Sequence, residues 1–581
     1  MKDLLVYLKH YKLQSVLAPL FKLLEASFEL LIPIIVASIV DKIRVNAGGV
    51  TAAAGTRYVV YACLILVALG VVGLVSAVCA QYFAAKAAVG FSKELRSDLF
   101  KKVQSLSYYE IDNLGTSAII TRMTSDVNQV QTGVNLVLRL FMRSPFIVFG
   151  ALVMAFIISV SAGWVFAVTI AALFAVVFGI MLVTIPMYRK TQGKLDRVTA
   201  ATRETLVGSR VVRAFCKEDA EISEFDSRNG ALTKSQKFVG AISSLMNPLT
   251  YAIINVGIIV LIYVGAGKVD GGLLTQGQVI ALYNYMSQIL VELIKLANLI
   301  ITVTKCFACA GRVSEVLKMQ PSLIHGESTE AKTVAAPFIA FNNVSMRYSG
   351  GGSDALSGIS FSVNAGETVG IIGGTGSGKT TLVNLIPHFY DASGGEILLE
   401  GVNVNAVGDE SLRSECGIVP QRAVLFKGTI RENIKWGNEA ATDGEIHEAL
   451  KTACATDVVN SKPDGLDETV EQGGKNFSGG QRQRLTIARA LVKKPKILIL
   501  DDSASALDYA TDAALRKNLR SLDYKPTVFL VSQRTSSVRY ADKILVLDGG
   551  RLVGCGTHDE LLRDCEVYRE IHFSQYGKEE A

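Results

Sequence analysis

Residues 373–381 read GGTGSGKTT, a run of the form G-x-x-x-x-G-K-[ST]. Its glycines, Gly373, Gly374, Gly376 and Gly378, let backbone N–H groups turn inward around phosphate oxygens. Thr375 and Ser377 complete the loop and Thr381 follows it. Lys379 has the charge and length to reach the β- and γ-phosphates of a nucleotide, and Thr380 has a hydroxyl suited to Mg²⁺. A second run, ILILDDSASALD at 497–508, drives an apolar stretch into Asp501 and Asp502. A buried strand ending in an acid delivers a carboxylate to a magnesium ion, so Asp501 is the expected metal carboxylate. Together the two runs point to phosphoryl chemistry.

Both runs need elements to hold them. The residues TVGII before the loop are strand-like, and TLVNLIPHF beyond it is helical. From Phe338 onward short apolar runs alternate with helical stretches, an α/β pattern. Residues 320–337 are polar, hold two prolines and read as a linker. The expected organisation is a membrane domain at 1–319 and a soluble nucleotide-binding domain at 338–581.

The first half differs in kind. The chain has 581 residues, 50% of them hydrophobic and 19% charged, with mean hydropathy +0.34. A soluble enzyme of this size is less apolar. Six stretches have the roughly 20 apolar residues that cross about 30 Å of hydrocarbon: approximately 15–40, 58–83, 134–159, 164–188, 247–267 and 278–303. They exclude a soluble ATPase. Lys and Arg crowd the gaps 84–133 and 189–246, which puts both gaps and both termini in the cytoplasm. Helical periodicity in these gaps extends the membrane helices into the cytoplasm. The N-terminal MKDLLVYLKHYK reads as an amphipathic helix at the membrane surface, not as a secretory signal. The net charge of +6 is ordinary for such a protein and gives no reason to expect nucleic acid.

Charges also fall inside the spans: Lys22, Glu25, Glu29, Arg139, Arg143, Glu292 and Lys295. Glu25 and Glu29 lie deepest and are candidates for lining a pathway, while those of spans three and six fall towards the cytoplasmic side. Nine scattered cysteines read as free thiols, and the CxxC pair Cys306 and Cys309 as small residues on a helix.

FSGGQRQRLTIARAL, residues 477–491, resembles the signature of ABC transporters, and other matches follow in order along nearly the whole chain. Tyr348 is placed like the aromatic that stacks on adenine, and Gln421 like the Q-loop glutamine that meets Mg²⁺. Residues 505–508, SALD, resemble the D-loop that ends here in Asp508. YYEIDNLGTSAIITRMTSDV and ETLVGSRVVRAFCKEDAEISEF resemble the two coupling regions. The resemblance implies an exporter-type half-transporter in the cell (inner) membrane: an all-α six-helix membrane domain, then an α/β P-loop ATPase domain, with ATP and Mg²⁺ as cofactors. It implies that two cassettes pair head to tail. Each ATP then lies between one phosphate loop and the partner's Ser478, Gly479, Gly480 and Gln481.

The pattern breaks twice at one place. Asp502 stands where the family has its general-base glutamate, and Gln533 where it has a histidine at the γ-phosphate. VEQGGKNF before the signature is a softer departure. The expectation is a slow ATP site in this chain, whose signature completes a competent site on a different half-transporter, as in heterodimeric bacterial multidrug exporters. A homodimeric exporter, an exporter-shaped siderophore importer and an ATP-gated regulatory subunit remain open. Lipophilic drugs, lipids or peptides are the cargo that the resemblance implies.

Overall fold

The computed structural model describes residues 3–47, 52–323, 337–348 and 352–576. The chain divides into two units, Met1–Gln104 with Ser117–Met319, and Ser105–Thr116 with Gln320–Ala581. Ser105–Thr116, expected within the membrane domain at 1–319, thus goes with the cassette. The expected linker, 320–337, lies almost wholly outside the described residues.

The first unit is helical. Its long elements are α1 (Lys12–Ala47), α2 (Ala52–Gln104), α3 (Val127–Leu140), α4 (Arg143–Ile158), α5 (Val160–Val207), α6 (Glu218–Ser244), α7 (Met246–Asp270) and α8 (Gln276–Lys318). Leu4–Tyr11, the N-terminal amphipathic stretch, is a 3-10 helix that runs into α1. Among the described residues, five segments are long and apolar enough to cross a membrane: Leu4–Ile43, Thr56–Gln104, Thr116–Ile158, Val160–Val207 and Glu218–Asp270. The sixth expected span, 278–303, lies in α8, which is not among those five. Asn284, Gln288, Glu292 and Lys295 recur along α8 at helical spacing and make one face of it polar. Outward-facing Leu64, Val67, Val71, Leu74 and Val78 of α2 are exposed, an apolar surface fit for lipid.

Inside the unit, Leu30 of α1, Ile147 and Ala151 of α4, Phe166 and Leu173 of α5, and Tyr285 and Ile289 of α8 share a core. Small residues allow close approach there: a Cβ on Gly277 of α8 would lie 2.1 Å from the Ala37 carbonyl oxygen of α1. Six of the seven charges expected in the spans meet where α1, α4 and α8 face one another, while Arg139 lies on α3. The guanidinium of Arg143 donates to Glu29 at 2.7 Å and to Glu292 at 2.5 Å, with Glu25 at 3.9 Å. Lys295 and the Ser144 hydroxyl reach Glu292 at 2.9 and 2.7 Å, and Lys22 pairs with Glu25 at 2.5 Å. The expected separation by depth is therefore corrected: α1, α4 and α8 bring these charges to one level and neutralise them. Cys306 and Cys309 are buried free thiols on α8.

In the second unit the strands are β1 (Ile339–Met346), β2 (Leu356–Val363), β3 (Thr368–Gly373), β4 (Gly394–Leu399), β5 (Val402–Asn403) and β6 (Cys416–Val419). They continue as β7 (Gly428–Thr429), β8 (Thr469–Val470), β9 (Ile497–Asp501), β10 (Thr527–Val531), β11 (Lys543–Asp548) and β12 (Arg551–Gly556). One sheet has the order β2-β1-β4-β5, a second β12-β11-β3-β10-β9-β6, and β7 pairs with β8. In the six-stranded sheet β11, β3, β10, β9 and β6 are parallel. Every residue of β9 and β10 is buried, which is why they carry the continuous apolar runs ILIL and VFLV rather than alternating ones.

Candidate functional site

The parallel sheet makes the site. Val531 at the end of β10 pairs with Ile371 of β3 on one side and Asp501 of β9 on the other. Val419, ending β6, pairs with Leu500. Four strands therefore end at one edge, where open α/β sheets present ligand sites. The chain beyond them carries the phosphate loop, Gln421, Asp502 and Gln533 to a shared cavity of about 300 Å³. Tyr348, Thr375, Gly376, Ser377, Gly378, Lys379, Thr380, Thr381, Gln421, Asp501, Asp502 and Gln533 all line it.

The loop geometry depends on its glycines. Gly378 has φ +96°, and a Cβ there would meet the Ala355 carbonyl oxygen at 2.7 Å. Helix Lys379–Leu385 starts directly after it. The Nζ of Lys379 donates to the carbonyls of Gly373 at 2.9 Å and Gly374 at 2.6 Å. Burial pulls the Lys379 ammonium below its ordinary pKa, against the opposing charges of Asp502 and Asp501. The Thr380 hydroxyl lies 3.0 and 3.1 Å from the two Asp501 carboxylate oxygens. Burial pushes the Asp501 carboxyl up, and the Thr380 hydroxyl opposes it. A hydroxyl beside a buried carboxylate is an oxygen donor set that suits a small hard cation. The Tyr348 hydroxyl is 3.1 Å from Thr381 Oγ1, which fixes its ring at the mouth of the loop.

Asp502 is a strained residue, with φ +47°. Its N–H donates to the Val531 carbonyl at 3.1 Å, and its own carbonyl accepts from Ser505 Oγ at 2.8 Å. Its carboxylate accepts from Gln421 Nε2 at 3.3 Å. The cavity thus has a cation, Lys379, two carboxylates, Asp501 and Asp502, and two neutral amides, Gln421 and Gln533.

Other expected residues stand apart from it. Ser478, Gly479, Gly480, Gln481 and Asp508 do not line the cavity. Ser478 caps helix Gly479–Leu491: its Oγ accepts from Gln481 N at 3.3 Å, while Gln481 Oε1 accepts from Ser478 N at 2.9 Å. The Ser478 O–H and the first-turn N–H groups of the glycines remain to donate. Asp508 caps helix Tyr509–Arg520, accepting from Thr511 N at 2.8 Å and Thr511 Oγ1 at 3.0 Å. A larger cavity, about 660 Å³, opens beside Asp512, Arg516 and Tyr540 and contains none of the expected site residues.

Tyr390 and Gln575 touch these residues and carry no local sequence signal. Tyr390 stands edge-on to Tyr348 with ring centroids 5.3 Å apart, and its hydroxyl donates to Asp112 at 2.7 Å. Tyr108 of helix Tyr108–Leu114 packs on Phe389 at 4.7 Å, which accounts for Ser105–Thr116 joining this unit. Gln575, 42 residues from Gln533, bonds to its carbonyl.

Comparison with known proteins adds the family. A model of the ABC transporter transmembrane region matches residues 15–293, and one of the ABC transporter domain matches residues 356–505. The chain is 34% identical to an uncharacterized ABC transporter ATP-binding protein of Bacillus subtilis, over 100% of this chain and 99% of that one. It is 32% identical to an ATP-dependent lipid A-core flippase of Syntrophus aciditrophicus, over 84% of this chain and 80% of the relative. A solved bacterial Atm1-family ABC exporter with ATP bound matches with TM-score 0.81 at 25% identity, covering 98% of this chain and 99% of that one. The chain belongs to the ABC transporter family, as a membrane-spanning half-transporter that joins one transmembrane region to one ATP-binding, ATP-hydrolysing cassette.

Proposed function

We propose that the protein is one half of an ATP-driven exporter whose own ATP site binds well and hydrolyses slowly. The observation that carries this reading is the company Asp502 and Gln533 keep. Both line one cavity with Lys379, Thr380 and Asp501, the groups that hold phosphate and metal. In that cavity Lys379 and the loop N–H groups bind the phosphates, and Tyr348 stacks on adenine. Thr380, Asp501 and Gln421 hold Mg²⁺, which when bound neutralises phosphate charge. Asp502 has to orient the attacking water and accept its proton, but its side chain is one methylene short of the family's glutamate. Gln533 can donate to the γ-phosphate from its amide, yet carries no charge.

Ser478, Gly479, Gly480 and Gln481 serve a second half-transporter. They lie outside the chain's own cavity with donors to spare, so the partner's phosphate loop faces them in a head-to-tail pair. The partner supplies the glutamate and histidine that this chain lacks, so the assembly is a heterodimer with one slow and one fast site. It resides in the cell (inner) membrane with both termini in the cytoplasm. ATP closes the cassettes, and the coupling segments, including Tyr108–Leu114, pass that movement to the spans. The cargo class is lipophilic drugs, lipids or peptides, and a lipid is the cargo that one relative's name prints.

The test is ATP turnover by this chain purified alone in lipid, with Asp502→Ala as control. Turnover close to the control supports the slow site. Brisk turnover that vanishes in Asp502→Ala means a working homodimer with aspartate as base, and refutes the reading.

A further inference from the structure

We infer that Gln575, the last residue of helix Glu566–Gln575, is a positioning residue that aims Gln533 at the terminal phosphate of bound ATP. This rests on the reading of the 300 Å³ cavity as the ATP site. Gln533 belongs to the short segment between β10 and helix Thr535–Val538, and its side chain is exposed in the cavity. An exposed glutamine on a free loop spreads over many rotamers, and ordering it weakens any bond it makes. Here the backbone is tied on both sides of the Gln533–Arg534 segment.

One amide makes both ties, beside a local bond from Arg534 N to Ser532 Oγ at 3.0 Å. Gln575 Nε2 donates to the Gln533 carbonyl at 2.7 Å. Gln575 Oε1 accepts from Thr535 N at 2.9 Å and from Thr535 Oγ1 at 3.1 Å. Only this orientation of the amide works, because the reverse sets oxygen against oxygen and N–H against N–H. Since Thr535 Oγ1 gives its hydrogen to Gln575, its contact with His572 Nδ1 at 3.3 Å requires that nitrogen to be the donor. The helix itself is firmly seated. Tyr568 and His572 are buried, and the His558 imidazole meets the Tyr568 hydroxyl at 2.7 Å. The path from the core through Gln575 to Gln533 is therefore continuous. Gln575 does not line the cavity, so its effect on the nucleotide passes through Gln533.

The experiment measures dissociation constants of the full chain in lipid nanodiscs for the non-hydrolysed analogue AMP-PNP and for ADP, each with Mg²⁺. Only the analogue has a γ-phosphate. Gln533→Ala is expected to weaken AMP-PNP by roughly tenfold, the scale of one hydrogen bond to a charged group, and to leave ADP unchanged. Gln575→Ala is expected to weaken AMP-PNP by about three- to tenfold, again sparing ADP, with no further loss in the double variant. Gln575→Glu keeps an acceptor for Thr535 but has no donor for the Gln533 carbonyl, so it should match Gln575→Ala. Equal weakening of both nucleotides, or additive loss in the double variant, would show a merely structural role and overturn the inference. Loss in Gln533→Ala with none in Gln575→Ala overturns the role of Gln575 alone. No loss in Gln533→Ala removes Gln533 from the γ-phosphate and takes this inference with it.

Discussion

The double substitution Asp502→Glu with Gln533→His should speed ATP hydrolysis at the site proposed above to be slow. A general base has to come within about 2.6–3.2 Å of the proton it takes, directly or through one water. Aspartate in place of glutamate shortens the reach by about one C–C bond, ~1.5 Å. The backbone cannot make up that distance. Asp502 is held at φ +47° by its N–H on the Val531 carbonyl at 3.1 Å and by Ser505 on its carbonyl at 2.8 Å. Its carboxylate is also turned to Gln421, 3.3 Å away. A misplacement of about 1 Å costs on the order of a hundredfold in rate, which is about 2.7 kcal/mol of barrier. Restoring the methylene should therefore raise turnover about a hundredfold, and the histidine should add to it by placing a chargeable donor at the γ-phosphate. The assay is phosphate release by the chain alone in nanodiscs at saturating Mg-ATP, with Lys379→Ala as the blank. If the double variant binds ATP normally and turns over no faster than the parent chain, reach is not what limits this site and the reasoning fails.

Three other outcomes are expected. Lys379→Ala should raise the ATP dissociation constant by more than about tenfold, the scale of a lost charge-assisted contact, and a normal affinity by equilibrium binding would contradict the phosphate-loop reading. Arg143→Met takes the cation from Glu29, leaves Glu292 with Lys295 and Ser144 alone, and should destabilise that unit by about 3 kcal/mol, the lower end for a broken buried pair. Adding Glu29→Gln and Glu292→Gln should recover most of the loss. The chain has two tryptophans, so Trp436→Phe leaves Trp164 to report unfolding of the membrane unit alone, and an unchanged melting curve for Arg143→Met would refute the prediction. In the cassette, burial pulls the His388 pKa down, but Asp391 at 2.7 Å and Asp409 at 3.2 Å together hold it above its ordinary value of 6.5. A raised folded pKa stabilises fully below about pH 6.5 and ceases to do so as pH rises through the folded value. The melting difference between the parent and His388→Gln, read by Trp436 in a Trp164→Phe background, should therefore shrink from pH 6 towards pH 9. A difference independent of pH would show that the ring's packing, not its charge, matters.

The parts of the site that were legible in the sequence are those fixed by contiguous residues. GGTGSGKTT states its own geometry, because the glycines and Lys379 act within one turn of chain. ILILD states that Asp501 ends a strand, because a strand buried on both faces has no polar alternation to hide it. What brings Asp502, Gln533 and Gln421 together is strand order, β3-β10-β9-β6, which no local pattern reports. Their common site was suggested by resemblance to the family, and register gives its physical cause. The contacts of Gln575 with Gln533, of Tyr390 with Asp112, and of Arg143 with Glu292 were not legible. Each joins residues far apart in sequence through one side chain, and neither periodicity nor spacing encodes such a pair. The charges in the spans show the same limit. Hydropathy gave their depth along each helix, but whether they face a pathway or one another depends on how α1, α4 and α8 pack.

On the proposed reading, the cassette separates holding ATP from breaking it. The groups proposed to hold it are close to the backbone or locked against it: the loop N–H groups, Lys379 on two carbonyls, Thr380 on Asp501. Such contacts already act on the phosphates in the ground state, so they set affinity whatever they add in the transition state. The groups proposed to act on the bond sit at the ends of side chains, where one methylene or one charge decides the outcome. Shortening the first and neutralising the second therefore lowers rate far more than affinity. In the proposed heterodimer, a site altered in this way would still close on ATP and hold the two cassettes together while the other site turns over. That predicts a specific asymmetry. Removing ATP binding here with Lys379→Ala should slow the partner's site, whereas Asp502→Ala should leave it nearly unchanged. Equal loss from both would mean that this site's chemistry, and not its occupancy, drives the cycle.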